Sequence, residues 1–152
     1  MTAPVQRTTV EGVLANHEKR VGILEAVPPK TSIEYEIKVI SETTTLTTGD
    51  GQFIFAIPSD LNGMNLISAQ AFVTTVSSSG LPTVQIRNVT DSVDMLTTKI
   101  TIDASEFTSY TAATPSVRDT ANDDVATGDL IAIDVDVAGT GAQGLGVILR
   151  FG

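Results

Sequence analysis

The sequence predicts a mainly β protein, an antiparallel β-sandwich of jelly-roll-like form preceded by one short N-terminal amphipathic helix. Three observations point there. Beyond Pro28-Pro29, segment after segment alternates apolar and polar residues with a period of two, and Gly, Asn, Asp and Ser clusters separate the segments. Before that proline pair the apolar residues recur with heptad spacing instead. No long helical period interrupts the later segments, so a parallel βαβ plan is disfavoured.

Residues 1–8 (MTAPVQRT) show no period and carry Pro4, and they read as a flexible arm. Thr8 followed by Glu11 fits a capping box, in which the hydroxyl accepts an N3 amide and the carboxylate reaches back. Over residues 9–27 apolar positions fall at Val10, Leu14, Val21 and Leu24, with His17 completing the stripe. With Leu14 and Val21 at a, the d positions are Val10, His17 and Leu24. Glu11, Glu18 and Glu25 then stand at e and Arg20 at g, so Arg20 of one copy faces Glu25 of a parallel neighbour.

The pattern predicts a self-associating coiled-coil helix with those five residues as its oligomerisation seam. Alone it is weak. Gly12 and Gly22 each cost about 1 kcal/mol relative to Ala, and about eighteen residues make only ~27 Å of helix. Pro28-Pro29 ends it, because the residue before a proline is pushed out of α geometry.

The head is expected over 30–152. Ser32–Val39 alternates strictly, as a half-buried strand does. Thr43–Thr48 has high β propensity, and Gly49-Asp50-Gly51 signals a turn before the near-continuous apolar run Gln52–Ile57. A compact loop at Leu61–Met64 precedes a strand at Leu66–Val76. Further strands are expected at Thr83–Val89, Met95–Ala104, Asp129–Ala138 and Leu145–Phe151. Residues 105–122 hold no period and form the longest loop. Eight strands with turn signals between them make the sandwich or jelly-roll pattern.

Charge is divided unevenly. Residues 1–40 carry five basic and five acidic side chains, whereas 41–152 carry four basic and thirteen acidic, so the net −9 belongs to the head. Such a surface repels phosphate backbones, and nucleic acid is not expected as a partner. Aromatics are only 5% with no Trp, which argues against a stacking surface for bases or sugar rings. The chain has no Cys, hence neither disulfides nor thiolate metal sites. No apolar run approaches the ~18 residues of a membrane span, and no leader pattern is visible, so a soluble chain without membrane contact is expected.

Catalytic readings find little. Ser-His-Asp or Cys-His chemistry needs a base beside the nucleophile, and the one histidine, His17, lies in the heptad stripe. His17 reads first as a polar core layer fixing register and copy number. A surface histidine, or a ring of three imidazoles around an ion, are the alternatives. Asp91, Asp94, Asp103, Asp119, Asp123, Asp124 and Asp129 supply oxygens that a calcium site or a glycosidase acid pair would use. Their spacing fits no calcium loop, and solvated turn aspartates are the better reading. No cofactor, catalytic residue or metal ligand is assigned, and the chain is not expected to be an enzyme.

Several segments also carry a resemblance: Phe53–Pro58 with Leu61–Leu66, Val84–Asp91, Asp94–Leu96, Thr98–Asp103, Gly128–Asp136 and Gly144–Phe151. Together, over about residues 50–152, they resemble the C-terminal jelly-roll heads of tailed-bacteriophage virion proteins, namely capsid decoration or head-fibre proteins and some tail-fibre tips. The resemblance implies an N-terminal segment anchored to the particle, a short coiled coil and a trimerising head. It supplies no active residues.

The missing long shaft favours a homotrimeric decoration protein on the capsid exterior, with itself and the major capsid protein as partners. Anchoring is then expected from the arm, through Thr2, Ala3, Pro4, Val5, Gln6 and Arg7. The alternative is a tail-fibre tip that binds a receptor or host-surface glycan.

Overall fold

The alternating segments do become strands in the computed structural model, which describes residues 32–152. They are β1 (Ile33–Lys38), β2 (Gly49–Ala56), β3 (Leu66–Thr75), β4 (Thr83–Asn88), β5 (Val93–Asp94), β6 (Leu96–Thr98), β7 (Ile100–Thr101), β8 (Val117–Arg118), β9 (Leu130–Val137) and β10 (Gln143–Phe151). Two 3-10 turns, Ser59–Leu61 and Ser109–Thr111, are the helical elements among the described residues. None of them is long and apolar enough to cross a membrane. The expected helix over 9–27 and the arm over 1–8 lie outside the described residues.

All pairing between strands is antiparallel. One sheet has the order β1-β10-β3 and a second the order β2-β9-β4-β5, with β7 also on β4; β6 and β8 form a small ribbon. The central strand of each large sheet comes from the C-terminal part of the sequence. In β10, Leu145, Val147, Leu149 and Phe151 point to the core, as the alternation requires. In β9, Ile131, Ile133 and Val135 do the same, while Val137, expected on that face, is exposed at the strand end. The inward residues of both sheets join one hydrophobic cluster with Val84, Ile86, Ala69, Ala71 and Val73.

Three segments differ from expectation. Thr43–Thr48 is not a strand; it keeps a single bridge, Thr45 to Gln143, and buries Leu46 as the chain passes from one sheet to the other. Gly49-Asp50-Gly51 is not a turn but the bulged start of β2, where Gly49 opposes Val135 and Phe53 opposes Ile133. Met95–Ala104 is not one strand. Met95 and Leu96 are both buried, so strict alternation fails there, and the segment breaks into β6 and β7. Gln85 fills the gap, its Nε2 donating to the Leu96 carbonyl at 3.0 Å.

The loop expected over 105–122 has a defined job. β3 has β10 on one side only, and this segment lies along its other edge. Val73 N–H donates to the Phe107 carbonyl at 2.8 Å, Ala71 N–H donates to Ser109 Oγ at 2.9 Å, and Ser116 Oγ donates to the Ala69 carbonyl at 2.7 Å. Hydroxyls thus stand in for a neighbouring strand and close an edge that would invite pairing with another chain.

Candidate functional site

The residues expected to act from sequence, Val10, Leu14, His17, Val21 and Leu24 for oligomerisation and Thr2–Arg7 for anchoring, all lie outside the described residues. Three surface regions of residues 32–152 carry the chemistry that remains.

The first is the outer face of the β1-β10-β3 sheet. Gly146 of β10 stands opposite Phe72 of β3, and Gly144, the second residue of β10, has φ 62°. A shallow cleft of about 180 Å³ lies beside this pair, lined by Phe72, Thr74, Glu36, Lys38 and Glu42. Lys38 Nζ meets Glu42 Oε1 at 2.6 Å, and Thr74 Oγ1 donates to the Glu42 carbonyl at 2.5 Å. The Lys38 hydrogen bond, then its charge, holds the Glu42 carboxyl below its ordinary pKa. An apolar floor with carboxylate and ammonium at the rim suits a small polar ligand, yet the cleft is smaller than the roughly 300–1,000 Å³ of ordinary ligand pockets.

The second is the outer face of the β2-β9-β4 sheet. Arg87 grips Asp134 with two bonds, Nε to Oδ2 at 2.7 Å and Nη2 to Oδ1 at 3.2 Å, and Gly51 N–H adds a third at 2.5 Å. Asp134 is only 4% exposed, so these donors replace its water. The hydrogen bond to Asp134 comes first in raising the Arg87 pKa, and the charges of Asp134, Asp50 and Asp94 add to it against burial. Beside it Lys99 Nζ meets Asp136 Oδ2 at 2.8 Å, and that bond raises the lysine pKa.

The third is a polar knot where β4 ends and β9 begins. Asn88 Nδ2 donates to Asp91 Oδ2 at 2.8 Å and to Asp129 Oδ2 at 3.2 Å, while Ala126 N–H also donates to Asp129 Oδ2. The amide sits between the two carboxylates, in the space a cation would need. Other aspartates are likewise committed: Asp103 accepts from Ala113 N–H, Asp119 from Ala121 N–H and Asn122 Nδ2, and Asp123 pairs with Arg118 at 3.0 Å. These are turn and loop acceptors. Among the described residues no group of three or more metal-ligating side chains is gathered.

Sequence reasoning missed the Phe72–Gly146 cleft and the Arg87–Asp134 clamp. A glycine in the middle of β10 was the available signal for the first. For the second, an aspartate inside an apolar strand pointed to a buried charge in need of a cation. No protein-family model matches the chain, and no curated protein matches it.

Proposed function

We propose that the chain is a structural virion protein, a homotrimeric decoration or head-fibre protein held on the outer surface of a phage capsid by its N-terminal region. The finer architecture belongs to the same proposal: the two sheets and their shared core are the two layers of a jelly-roll-like sandwich, preceded by a coiled coil over 9–27.

The observation that carries the structural reading is the fate of the buried carboxylates. Asp123, Asp129 and Asp134 are each less than 10% exposed, and each is engaged by a neighbour, respectively Arg118, Asn88 and Arg87. Carboxylates so engaged brace strands and turns rather than transfer protons. The excess of thirteen acidic over four basic side chains after residue 40 suits a solvent-facing surface on a crowded particle.

Light scattering on the full chain tests the assembly: three chains are expected, and a monomer at micromolar concentration overturns the trimer. Deleting residues 1–8 tests the anchor. The truncated protein should stay folded and assembled but no longer decorate particles; full occupancy by the truncated protein would move attachment to the head.

The cleft beside Phe72 favours a second reading, a tip that binds a host-surface glycan. Its small volume makes it the weaker of the two. A glycan-array signal that Phe72→Ala abolishes would reverse that order.

A further inference from the structure

The core is unevenly closed. Its fully buried members include none from β1 or β2. Eight hydrophobic residues pack against it while only partly buried, and six of them sit on or beside those two strands: Ile33, Tyr35, Ile37, Val39, Phe53 and Phe55. The reason is topological. β3 approaches β7, which pairs β4, so those ends of the two large sheets meet. β1 and β2 are the opposite ends, and among the described residues neither has a second β partner.

The two edges are not equally guarded. β1 alternates its apolar residues with exposed Glu34, Glu36 and Lys38, side chains that discourage pairing. From Phe53 to Ile57 the chain carries no charge at all, and Ile54 points outward with 51% of its surface exposed. A short uncharged strand rich in β-forming residues is hazardous when left bare. On β3, by contrast, the Phe107–Ser116 segment covers the edge.

We infer that a second copy of this chain covers the open seam between β1 and β2, so that the hydrophobic core of each head is completed by its neighbour. The inference rests on the trimer proposed above and names the surface through which the heads meet. The occupant follows from the chain itself. Ile33 lies nine residues beyond Leu24, the last heptad position, a reach of at most about 30 Å. Copies bundled through 9–27 would therefore hold the starts of their β1 strands within that reach of a common axis. The seam beside β1 is the partly uncovered apolar surface nearest that tether. In a trimer the contact between neighbours is heterologous, and it closes as a ring.

The two tyrosines of the chain provide the probe. Tyr35 lies in the seam, whereas Tyr110 is 64% exposed on the segment over β3. The full chain is sized by light scattering, treated with tetranitromethane, and its nitrated peptides are quantified. Ile54→Lys is compared in parallel; Ile54 is exposed in the single chain, so the charge leaves the fold intact.

The inference expects a multimeric mass and nitration of Tyr35 at least about tenfold slower than of Tyr110, with Ile54→Lys erasing most of that difference. A multimeric mass with Tyr35 unaffected by Ile54→Lys overturns the seam and leaves the trimer standing. A single-chain mass overturns both.

Discussion

Phe72 of β3 lays its ring over the bare backbone of Gly146, its direct antiparallel partner on β10. A Cβ built on Gly146 runs into the ring atoms of Phe72 and meets nothing else nearer. Gly146 has ordinary extended backbone, so its role is space rather than conformational freedom. The aromatic side chain covers peptide groups that a glycine leaves open, a pairing that stabilises a glycine-containing strand.

The pair should therefore behave as a unit. Gly146→Ala should destabilise by about 1–3 kcal/mol because the ring must move. In a Phe72→Ala background the same change should be neutral or stabilising by up to about 1 kcal/mol, since Ala suits a strand better than Gly. Urea unfolding of the four proteins of the cycle measures the coupling; simple additivity would mean that the ring does not rest on Gly146.

Gly144→Ala should be worse and should not be rescued. Its φ is +62°, and a Cβ there would sit 2.7 Å from Glu42 Cα and 2.8 Å from the Glu42 carbonyl oxygen. Backbone cannot swing aside as a ring can. A loss of about 2–4 kcal/mol is expected from the two effects together. Thermal melts should show it undiminished in a Phe72→Ala background.

Arg87→Ala should cost about 2–3 kcal/mol, the range for losing charged hydrogen bonds to a buried group. Asp134, 4% exposed with Arg87 in place, would keep only the Gly51 amide. The double change Arg87→Ala with Asp134→Ala should recover part of the loss, because the stranded charge is then gone. Chemical denaturation of the three variants checks the order.

Ser109→Ala should cost about 1–3 kcal/mol by leaving the Ala71 N–H without its acceptor. The same hydroxyl donates to Gln70 Oε1 at 2.5 Å, so two contacts are lost. Hydrogen exchange gives the specific readout. The Ala71 amide should lose protection far more than the Leu149 amide at the centre of the sheet.

Lys99 should contribute an alkaline limb to stability. Its folded pKa is raised above 10.5 by Asp136. A raised folded pKa means the contribution is fully present below the unfolded value and is lost as pH rises through the folded one. With 44% of the lysine side chain exposed, the gain sits in the surface range of about 0.2–1 kcal/mol. Melting curves of wild type and Lys99→Gln should differ at pH 8 and converge well above the lysine range; a constant gap would exclude the ion pair as the cause.

The sequence made the strands legible where one face was buried and the other was not. Ser32–Val39, Thr83–Val89 and Leu145–Phe151 alternate because β1, β4 and β10 present one side to the core. Alternation failed at Met95-Leu96, where both residues are buried and the chain turns between two partners. It failed also at Gly49–Gly51, since a turn and a bulge draw on the same residues. Phe53–Ile57 was legible as a strand but not as an edge, because a continuous apolar run reads the same at the middle of a sheet and at its rim. The clamp on Asp134 was hidden for another reason. Arg87 is 47 positions away, and no local pattern links the two.

The placement of β9 and β10 bears on how the protein can be born. Each is the middle strand of its sheet, yet β1, β2, β3 and β4 are all translated before either. A nascent chain that has emerged as far as residue 128 holds the flanking strands of two sheets with nothing between them. Among the described residues it has no native ladder to form, apart from the short pairings around β4 and β6. Folding of the two large sheets must then wait until β9 and β10 have been made, and it proceeds through contacts distant in sequence, such as Ile33 with Phe151. Slow folding through non-local pairing, with the uncharged run Phe53–Ile57 uncovered in the interval, is the regime this wiring imposes.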